Sequence, residues 1–252
     1  MRNYMFTIEY NGRNYVGWQR QKDLPSIQEK IEDALSTLVG HTVSLTGSGR
    51  TDSGVHAICQ VASCMLDTTI STDKLPFAIN AILPEDIRIT SSRVVVDDFN
   101  ARYSAKRKTY LYKIYTSRHI SPLRDDTHMR VSVPLDIESM QDACTYLIGE
   151  HDFRCFLASG SQVKDTVRTI YSAKVYSVGV DEIHFEIEGN GFLYNMVRII
   201  VGTLVAIGSG KYPPSHMEDI IASRDRSKAS PTAPAHALYL KSVEYPNNIY
   251  LD

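Results

Sequence analysis

Hydrophobic and polar residues alternate with a period of two in several stretches of the chain, which is the pattern of half-buried β-strands. Gly179 separates two of these stretches and predicts a hairpin turn, because glycine adopts positive φ without steric cost. The predicted strands are Tyr4–Tyr10, Val43–Ser48, Cys59–Leu66, Ile87–Val96, Thr109–Thr116, Thr169–Val178, Ile183–Glu188 and His236–Tyr245.

A helical spacing of apolar residues replaces this alternation elsewhere. Ser26 stands where a helix N-cap would, ahead of Glu29, while Pro84 and Gly149 are expected to follow the ends of two other helices. Strands and helices do not alternate strictly, and the layout of strand, helix and paired strands occurs twice. The pattern therefore favours an α+β fold of two similar mixed-sheet halves over a doubly wound sheet. The predicted helices are Ser26–Val39, Asp73–Ile82, Asp136–Ile148 and Asn195–Ile207.

Composition is that of an ordinary globular protein, and the length suits one large or two modest cores. The chain has 252 residues, of which 43% are hydrophobic and 22% charged, with a formal net charge of -2. This balance indicates no nucleic-acid or membrane partner by itself, so any basic surface must be local. The N-terminus lacks the basic-then-apolar pattern of a secretory signal, and the apolar stretch 199–210 is too short to span a bilayer. We expect a cytoplasmic protein.

The four cysteines, at positions 59, 64, 144 and 155, form no C-x-x-C pair and have no histidines at zinc spacing. They indicate buried free thiols rather than a disulfide framework or a structural metal site.

Local basicity is found at the join of the two halves. From Phe99 to Arg124 there is no Asp or Glu, and four tyrosines alternate with the basic residues. Cationic side chains suit phosphates and aromatic rings suit unstacked bases, so the mixture fits single-stranded or looped RNA as well as it fits a solvated strand. The residues are Arg102, Lys106, Arg107, Lys108, Lys113, Arg118 and Arg124, with Tyr103, Tyr110, Tyr112 and Tyr115.

Glycines bracket an acid and a base in the segment from Gly47 to Ala57. If Arg50 to Asp52 is extended, both side chains project to the same side, and the guanidinium would keep the carboxylate ionised and nucleophilic. An ordinary loop salt bridge is the alternative. The segment does not fit the G-x-G-x-x-G or G-x-S-x-G motifs, while Asp52-Ser53-Gly54 matches the short motif of aspartic proteases, which would then require a symmetric dimer.

Arg198 lies in a predicted helix that is apolar almost all round, so its guanidinium needs an anionic partner or a route to solvent. Asp52 and Glu188 are the candidate partners. Adjacent residues of a strand point apart, so His151-Asp152-Phe153 indicates capping and packing rather than a catalytic relay. His56 is interpreted as a structural histidine and only secondarily as a proton shuttle.

Taken in order along the chain, these segments resemble the tRNA pseudouridine synthases of the TruA family. Several such motifs in one chain are far more specific than any one alone. The matching segments are Tyr10-Asn11-Gly12, Gly17-Trp18-Gln19-Arg20-Gln21, Gly49-Arg50-Thr51-Asp52-Ser53-Gly54-Val55-His56-Ala57, Phe99-Asn100-Ala101-Arg102, Tyr110-Leu111-Tyr112, His151-Asp152-Phe153, Phe192-Leu193-Tyr194-Asn195-Met196-Val197-Arg198 and Pro231-Thr232-Ala233-Pro234-Ala235.

The resemblance implies an isomerase that converts uridine to pseudouridine at positions 38–40 of the tRNA anticodon stem and loop, without metal or organic cofactor. It implies that Asp52 is the nucleophile, that Tyr110 stacks on the target base, that Arg50 fills the space of the flipped nucleotide and that Arg198 pairs with the nucleophile. Arg102 belongs to a further matching segment and is expected to bind substrate.

The resemblance also implies a homodimer of two-domain subunits with the pseudouridine synthase fold. We expect an N-terminal half, 1–100, with the aspartate loop, a C-terminal half, 101–252, with Tyr110 and Arg198, and an RNA-binding cleft between them. A non-catalytic tRNA-binding module and the dimeric aspartic protease remain the alternative hypotheses.

Overall fold

The computed structural model describes residues 1–161 and 163–251 and shows an α+β protein, as predicted. The strands are β1 (Arg2–Tyr10), β2 (Thr46–Gly47), β3 (His56–Leu66), β4 (Ile87–Val95), β5 (Arg107–Thr116), β6 (Met129–Val131), β7 (Gly149–Asp152), β8 (Val167–Val178), β9 (Glu182–Gly189) and β10 (Leu238–Glu244). The α-helices are α1 (Ile27–Val39), α2 (Leu75–Asn80), α3 (Ile137–Thr145), α4 (Met196–Gly208) and α5 (His216–Ser223).

The chain forms two compact units. The first comprises Met1–Lys106 and the segment that begins at Tyr239, and the second comprises Arg107–Leu238. These bounds differ from the predicted halves, 1–100 and 101–252, because the last strand returns to the first unit. There Tyr239 and Leu240 of β10 pair in parallel with β3.

In the first unit, the strand order is β4-β1-β3-β10. β1 is antiparallel to both β3 and β4, and the short β2 pairs antiparallel with β3. Ser26 caps α1 as predicted, since its side chain accepts a hydrogen bond from the Glu29 amide at 3.3 Å. The helix buries Ile27, Ile31 and Leu35.

In the second unit, the order is β5-β9-β8-β7, antiparallel throughout, with β6 parallel to β5. Gly179 turns the β8–β9 hairpin at φ 72°, as predicted. α3 packs against β8 and α4, while α4 buries most of its circumference. In this unit Tyr110 lies on β5 and is paired with Ile187 of β9.

Three expectations about elements need correction. The predicted strand Val43–Ser48 is reduced to β2, because the amide of Val43 donates to Ser36 Oγ and that of Leu45 to a Glu32 carboxylate oxygen instead of to a strand. The helices predicted at 73–82 and 136–148 are shorter, and α5 was missed. A short amphipathic segment that starts after two prolines has too few turns for a clear helical period.

β4 lies at the end of the first unit's strand order. The side-chain amide of Asn80 accepts from the Ile89 amide at 2.8 Å and donates to the Ile89 carbonyl at 2.9 Å. Farther along, the Leu251 amide donates to the Val94 carbonyl. A side chain and a terminal segment thus satisfy strand-edge groups that would otherwise be available for pairing with another strand.

The four cysteines are free thiols, and only Cys59 is more than slightly exposed. Burial raises the pKa of the Cys144 thiol to about 12, so it remains protonated at neutral pH. Over the described residues, no helix has both the length and the apolarity needed to cross a membrane.

Gly202 allows α4 to lie directly against the segment 231–233. A Cβ at this position would stand 2.0 Å from the Pro231 carbonyl oxygen. We therefore expect Gly202→Ala to lower the free energy of unfolding by about 2 kcal/mol or more, despite the better helix propensity of alanine. Denaturant unfolding measures the change.

Gly208→Ala, on the same helix, is the matched control. There the added Cβ meets the flexible Met140 side chain at 2.6 Å rather than backbone. The loss should be smaller because the thioether can move. Equal losses of unfolding free energy in the two variants would show that the close contact with Pro231 does not determine the effect of Gly202→Ala.

Candidate active site

Asp52 lies in the loop between β2 and β3, in the first unit, and is half-buried. Its neighbours Arg50 and Ser53 are exposed, while Thr51 is buried. The backbone at Asp52 is neither strand nor helix. The loop therefore depends on hydrogen bonds with other segments for its shape.

Backbone hydrogen bonds from the segment 15–18 hold this loop. The amide of Trp18 donates to the Thr51 carbonyl at 3.1 Å, and the amide of Gly54 donates to the Tyr15 carbonyl at 3.3 Å. Within the loop, the Val55 amide donates to the Asp52 carbonyl at 3.1 Å. The backbone is thus fixed on both sides of the carboxylate.

Glycines permit this close approach. A Cβ on Gly17, which has φ 106°, would lie 2.4 Å from the Thr51 carbonyl oxygen, and one on Gly12 would lie 1.9 Å from the Val55 carbonyl oxygen. Neither position has room for a side chain. The sequence segments 10–12 and 17–21 therefore lie beside the Asp52 loop, although they are distant from it in sequence.

A buried amide, Gln60, joins the two ends of the loop. Its carbonyl oxygen accepts from Ser48 Oγ at 2.6 Å and from the Val61 amide at 3.1 Å, while its nitrogen donates to the Gly49 carbonyl at 3.1 Å. It also hydrogen-bonds the Tyr10 hydroxyl. All four hydrogen-bonding positions of this amide are used.

Tyr10 extends this network to the residue before Asp52. Its hydroxyl and Thr51 Oγ1 are 2.7 Å apart, and both side chains are buried. Burial raises the pKa of Tyr10 well above its ordinary value, so the phenol stays neutral and can both donate and accept. Tyr10 and Gln60 cannot be recognised as site residues from the sequence, because a buried polar residue in a strand shows no pattern of its own.

His56 is buried at the start of β3. Its Nδ1 accepts a hydrogen bond from the Gly12 amide at 3.1 Å, and its ring stacks on Tyr239 with the centroids 4.8 Å apart. A ring nitrogen that accepts from a backbone amide is unprotonated. These contacts agree with the structural interpretation of His56.

The two predicted arginines of the first unit, Arg50 and Arg102, are exposed. The pairing of Arg50 with Asp52 stays a prediction. The guanidinium of Arg102 lies 5.6 Å from the ring centroid of Tyr103, which is also exposed. The Tyr245 hydroxyl donates to the Ala101 carbonyl at 2.6 Å and fixes the segment before Arg102.

In the second unit, Tyr110 lies on β5 with its ring edge-on to Phe192, the centroids 5.1 Å apart. Two residues along, Tyr112 is fully buried, and its hydroxyl donates to the Pro234 carbonyl at 2.8 Å. The half-buried Tyr110 ring thus lies beside Phe192 of the segment 192–198, on a strand that Tyr112 joins to the segment 231–235.

Arg198 is half-buried in the first turn of α4. Its Nε donates to the Ala233 carbonyl at 2.7 Å, and Nη1 donates to Asn195 Oδ1 at 2.6 Å. Burial raises the pKa of Tyr112, and the positive charge of Arg198 opposes that rise. Of the candidate partners of Arg198, Glu188 is bound by Arg107 at 2.8 Å.

Fewer basic and aromatic side chains of the run 99–124 are available to bind RNA than its composition indicates. Arg107 binds Glu188, and Arg124 makes a bidentate pair with Asp181 at 3.0 and 2.8 Å. Tyr112 and Tyr115 belong to the core. The acids come from the β8–β9 hairpin, more than fifty residues away, and a local charge count cannot include them.

Residues 1–161 and 163–251 contain no group of three or more His, Cys, Asp or Glu side chains placed to hold a metal ion. The first unit holds a half-buried carboxylate on a fixed loop, and the second unit holds an aromatic ring and a guanidinium on fixed elements. These are the groups of nucleophilic and electrostatic chemistry on a flat, polar substrate.

A family model described as "tRNA pseudouridine synthase" matches residues 7–104 and 143–246. The chain is 50% identical over 245 residues to the "tRNA pseudouridine synthase A" of Ruminiclostridium cellulolyticum, covering 97% of this chain and 100% of that protein. It is 48% identical, with the same coverage, to the protein of that name from Thermoanaerobacter sp. strain X514.

A more distant relative of the same name, from Francisella tularensis subsp. novicida, is 41% identical and covers 98% of this chain and 95% of that protein. Among solved structures, "Crystal Structure of a Cbf5-Nop10-Gar1 Complex" is similar with a TM-score of 0.35 and 13% identity. The alignment covers 80% of this chain and 54% of that one, so the chain spans about half its length.

Removal of the Tyr10 hydroxyl should destabilise the first unit. Tyr10→Phe leaves Thr51 Oγ1 and one N–H of Gln60 without their buried partner, which costs about 1–3 kcal/mol of unfolding free energy. Thermal or urea unfolding measures this loss. Tyr4→Phe, on the same strand and also buried, is the control, since no hydrogen bond from its hydroxyl to the loop is found among the described residues. Equal losses would contradict the role of Tyr10.

Proposed function

Because this chain belongs to the tRNA pseudouridine synthase family and isomerises uridine to pseudouridine in tRNA, we propose that it acts at positions 38–40 of the anticodon stem and loop with Asp52 as its nucleophile. The positions come from the resemblance of the motifs. The observation that carries the role of Asp52 is a carboxylate on a loop whose backbone is hydrogen-bonded on both sides of it.

The reaction breaks the bond between N1 of uracil and C1′ of ribose, turns the base and forms a bond from C5 to C1′. C5 loses its hydrogen and N1 gains one, so the product is an isomer. An ionised carboxylate can start this sequence by attack on the uracil ring or on the ribose carbon. A fixed loop holds the carboxylate in one geometry through both bond changes.

Tyr110 is proposed as the ring on which the target base stacks. A base inside a helix or a stacked loop is inaccessible, so it must first leave the stack, and an aromatic surface offsets the loss of stacking. The ring of Tyr110 is half-buried, and the nearly perpendicular ring of Phe192 restricts its rotation. Such a ring offers one face to a base at little entropic cost.

The arginines are proposed to take different roles. The exposed Arg50 would enter the space that the flipped nucleotide leaves, and the exposed Arg102 would bind the RNA backbone. Arg198 would supply the positive charge that keeps the nucleophile ionised, because two of its donors are already fixed and the guanidinium is held in one orientation.

By the same resemblance, we propose a homodimer in the cytoplasm, where tRNA is modified. A molar mass in solution of one chain alone would count against the dimer. The aspartic protease alternative receives no support from the relatives. Both are named tRNA pseudouridine synthase A, and their alignments cover 97% of this chain.

The first test uses tRNA transcripts labelled with tritium at C5 of uridine, because that hydrogen is released only when the new carbon bond forms. We expect release by the wild type and a loss of at least about a thousandfold in Asp52→Asn, with tRNA affinity largely kept. Asp67→Asn, an exposed aspartate beyond β3, is the control. Turnover by Asp52→Asn at the wild-type rate would remove Asp52 from the mechanism.

A second prediction separates stacking from hydrogen bonding at Tyr110. Tyr110→Phe keeps the ring and should retain most activity, whereas Tyr110→Ala should lose about tenfold or more in kcat/KM, since stacking contributes about 1–3 kcal/mol per base. Single-turnover tritium release on the same transcripts measures both. Full activity of the alanine variant would show that the base stacks elsewhere.

A further inference from the structure

Two arginines of the second unit meet on one carboxylate, that of Asp152 at the end of β7. Arg154 Nε lies 2.9 Å from Asp152 Oδ2, and Arg224 Nε lies 3.7 Å from the same oxygen. The other oxygen accepts from Thr166 Oγ1 at 2.6 Å and from the Arg154 amide at 3.2 Å. From the sequence, the segment 151–153 indicates capping and packing, and neither arginine stands out.

The carboxylate is the buried part of this cluster, with its side chain 13% exposed, against 53% for Arg154 and 64% for Arg224. Burial by itself would raise the pKa of Asp152, but hydrogen bonds from Thr166 and Arg154 outweigh it and hold the pKa below its ordinary value. Asp152 is therefore ionised at neutral pH and balances one of the two positive charges.

Both arginines approach Asp152 through Nε, and both side chains are more than half exposed. In the parts of the chain that the structure describes, neither guanidinium has a second acidic partner. The nearest acid in sequence, Asp225, is occupied as the cap of the next short helix, where it accepts from the amide and hydroxyl of Ser227. The cluster therefore presents two forks of donors and a net positive charge.

The backbone of Arg224 adds a second observation. This residue ends α5 in the left-handed conformation, with φ 54° and ψ 23°, which glycine or asparagine adopts more readily than arginine. An unfavourable conformation at a non-glycine residue points to a role for its side chain. That side chain reaches Asp152.

The two arginines are also held at a fixed separation. The short helix that begins at Arg154 packs against α5 and against the short helix Arg226–Lys228. Arg226 in turn donates to the Ala229 carbonyl and to Thr232 Oγ1. Both guanidinium groups thus project from well-anchored backbone, and Asp152 limits the rotation of each.

We propose that Arg154 and Arg224 form a phosphate-binding site that contacts the sugar-phosphate backbone of the tRNA. The inference rests on the proposed function, since tRNA is the anion that the active site must hold. A guanidinium fork matches two phosphate oxygens, and two forks at a fixed separation contact one strand of RNA without reading its sequence. Asp152 is a positioning residue in this site.

The test compares Arg154→Ala, Arg224→Ala and Arg224→Gly with wild type in tRNA binding by fluorescence anisotropy at several salt concentrations. Each variant should raise Kd about five- to tenfold at low salt and reduce the slope of log K against log salt by about 0.7–0.9, the contribution of one phosphate contact. Single-turnover kcat should stay unchanged, because neither side chain touches the reacting base. Arg2→Ala, an exposed arginine of the first unit, is the control.

The two substitutions of Arg224 distinguish binding from folding. Glycine removes the left-handed strain that alanine keeps, so Arg224→Gly should unfold at a higher temperature than Arg224→Ala. If the guanidinium binds phosphate, the two variants lose tRNA affinity equally. An affinity that follows the melting temperature instead would assign Arg224 a structural role only.

Three outcomes overturn the site: wild-type affinity in the variants, an unchanged salt slope, or an equal loss in Arg2→Ala. The proposed function has a separate readout. If wild type binds tRNA but releases no tritium, the proposed mechanism fails while the phosphate site stands. If wild type forms product and the variants bind as it does, only the phosphate site fails.

Discussion

The hydrogen bonds of Gln60 are the interaction on which the active-site loop depends. A loop without regular secondary structure cannot satisfy its own backbone, and here one buried amide joins Ser48, Gly49 and Val61 while Tyr10 continues the network to Thr51. Ser48, Val61, Tyr10 and Thr51 are buried and Gly49 is half-buried, so the loss of one hydrogen bond leaves another polar group without its protein partner where water has little access. These hydrogen bonds therefore hold the backbone that carries the Asp52 carboxylate in one conformation.

The same constraint explains why residues far apart in sequence surround the loop. Gly12 and Gly17 let the segment before α1 lie against the backbone at residues 51–55, and the Trp18 amide supplies a bond that no residue of the loop could supply. Rigidity at the nucleophile comes from close backbone contact, and close backbone contact requires glycine. An enzyme that breaks and remakes a bond at one carbon benefits from a carboxylate that moves little between the steps.

Much of this was predictable from the sequence. Apolar and alternating stretches located β1, β3, β4, β5 and the β8–β9 hairpin, although β1 and β3 contain runs of consecutive buried residues and therefore bury both faces. The pattern failed for 43–45, where side chains of α1 take the backbone hydrogen bonds, and for α5, which is too short for a clear period. The order of motifs indicated the family, and glycines around Asp52 indicated a tight loop. Tyr10, Gln60 and the acid partners of the basic run were not predictable, because each depends on a contact between distant residues.

Asn80 has a consequence for how this protein behaves at the concentrations found in cells. By bonding both the amide and the carbonyl of Ile89, its side chain takes the place of one residue of an additional strand. The outer edge of β4 is thereby already occupied at its centre, and a neighbouring molecule that approached it would have to displace an intramolecular pair before it could add a strand. The side-chain amide of Asn80 thus makes the addition of a strand at the β4 edge unfavourable and reduces the self-association to which an open edge is prone.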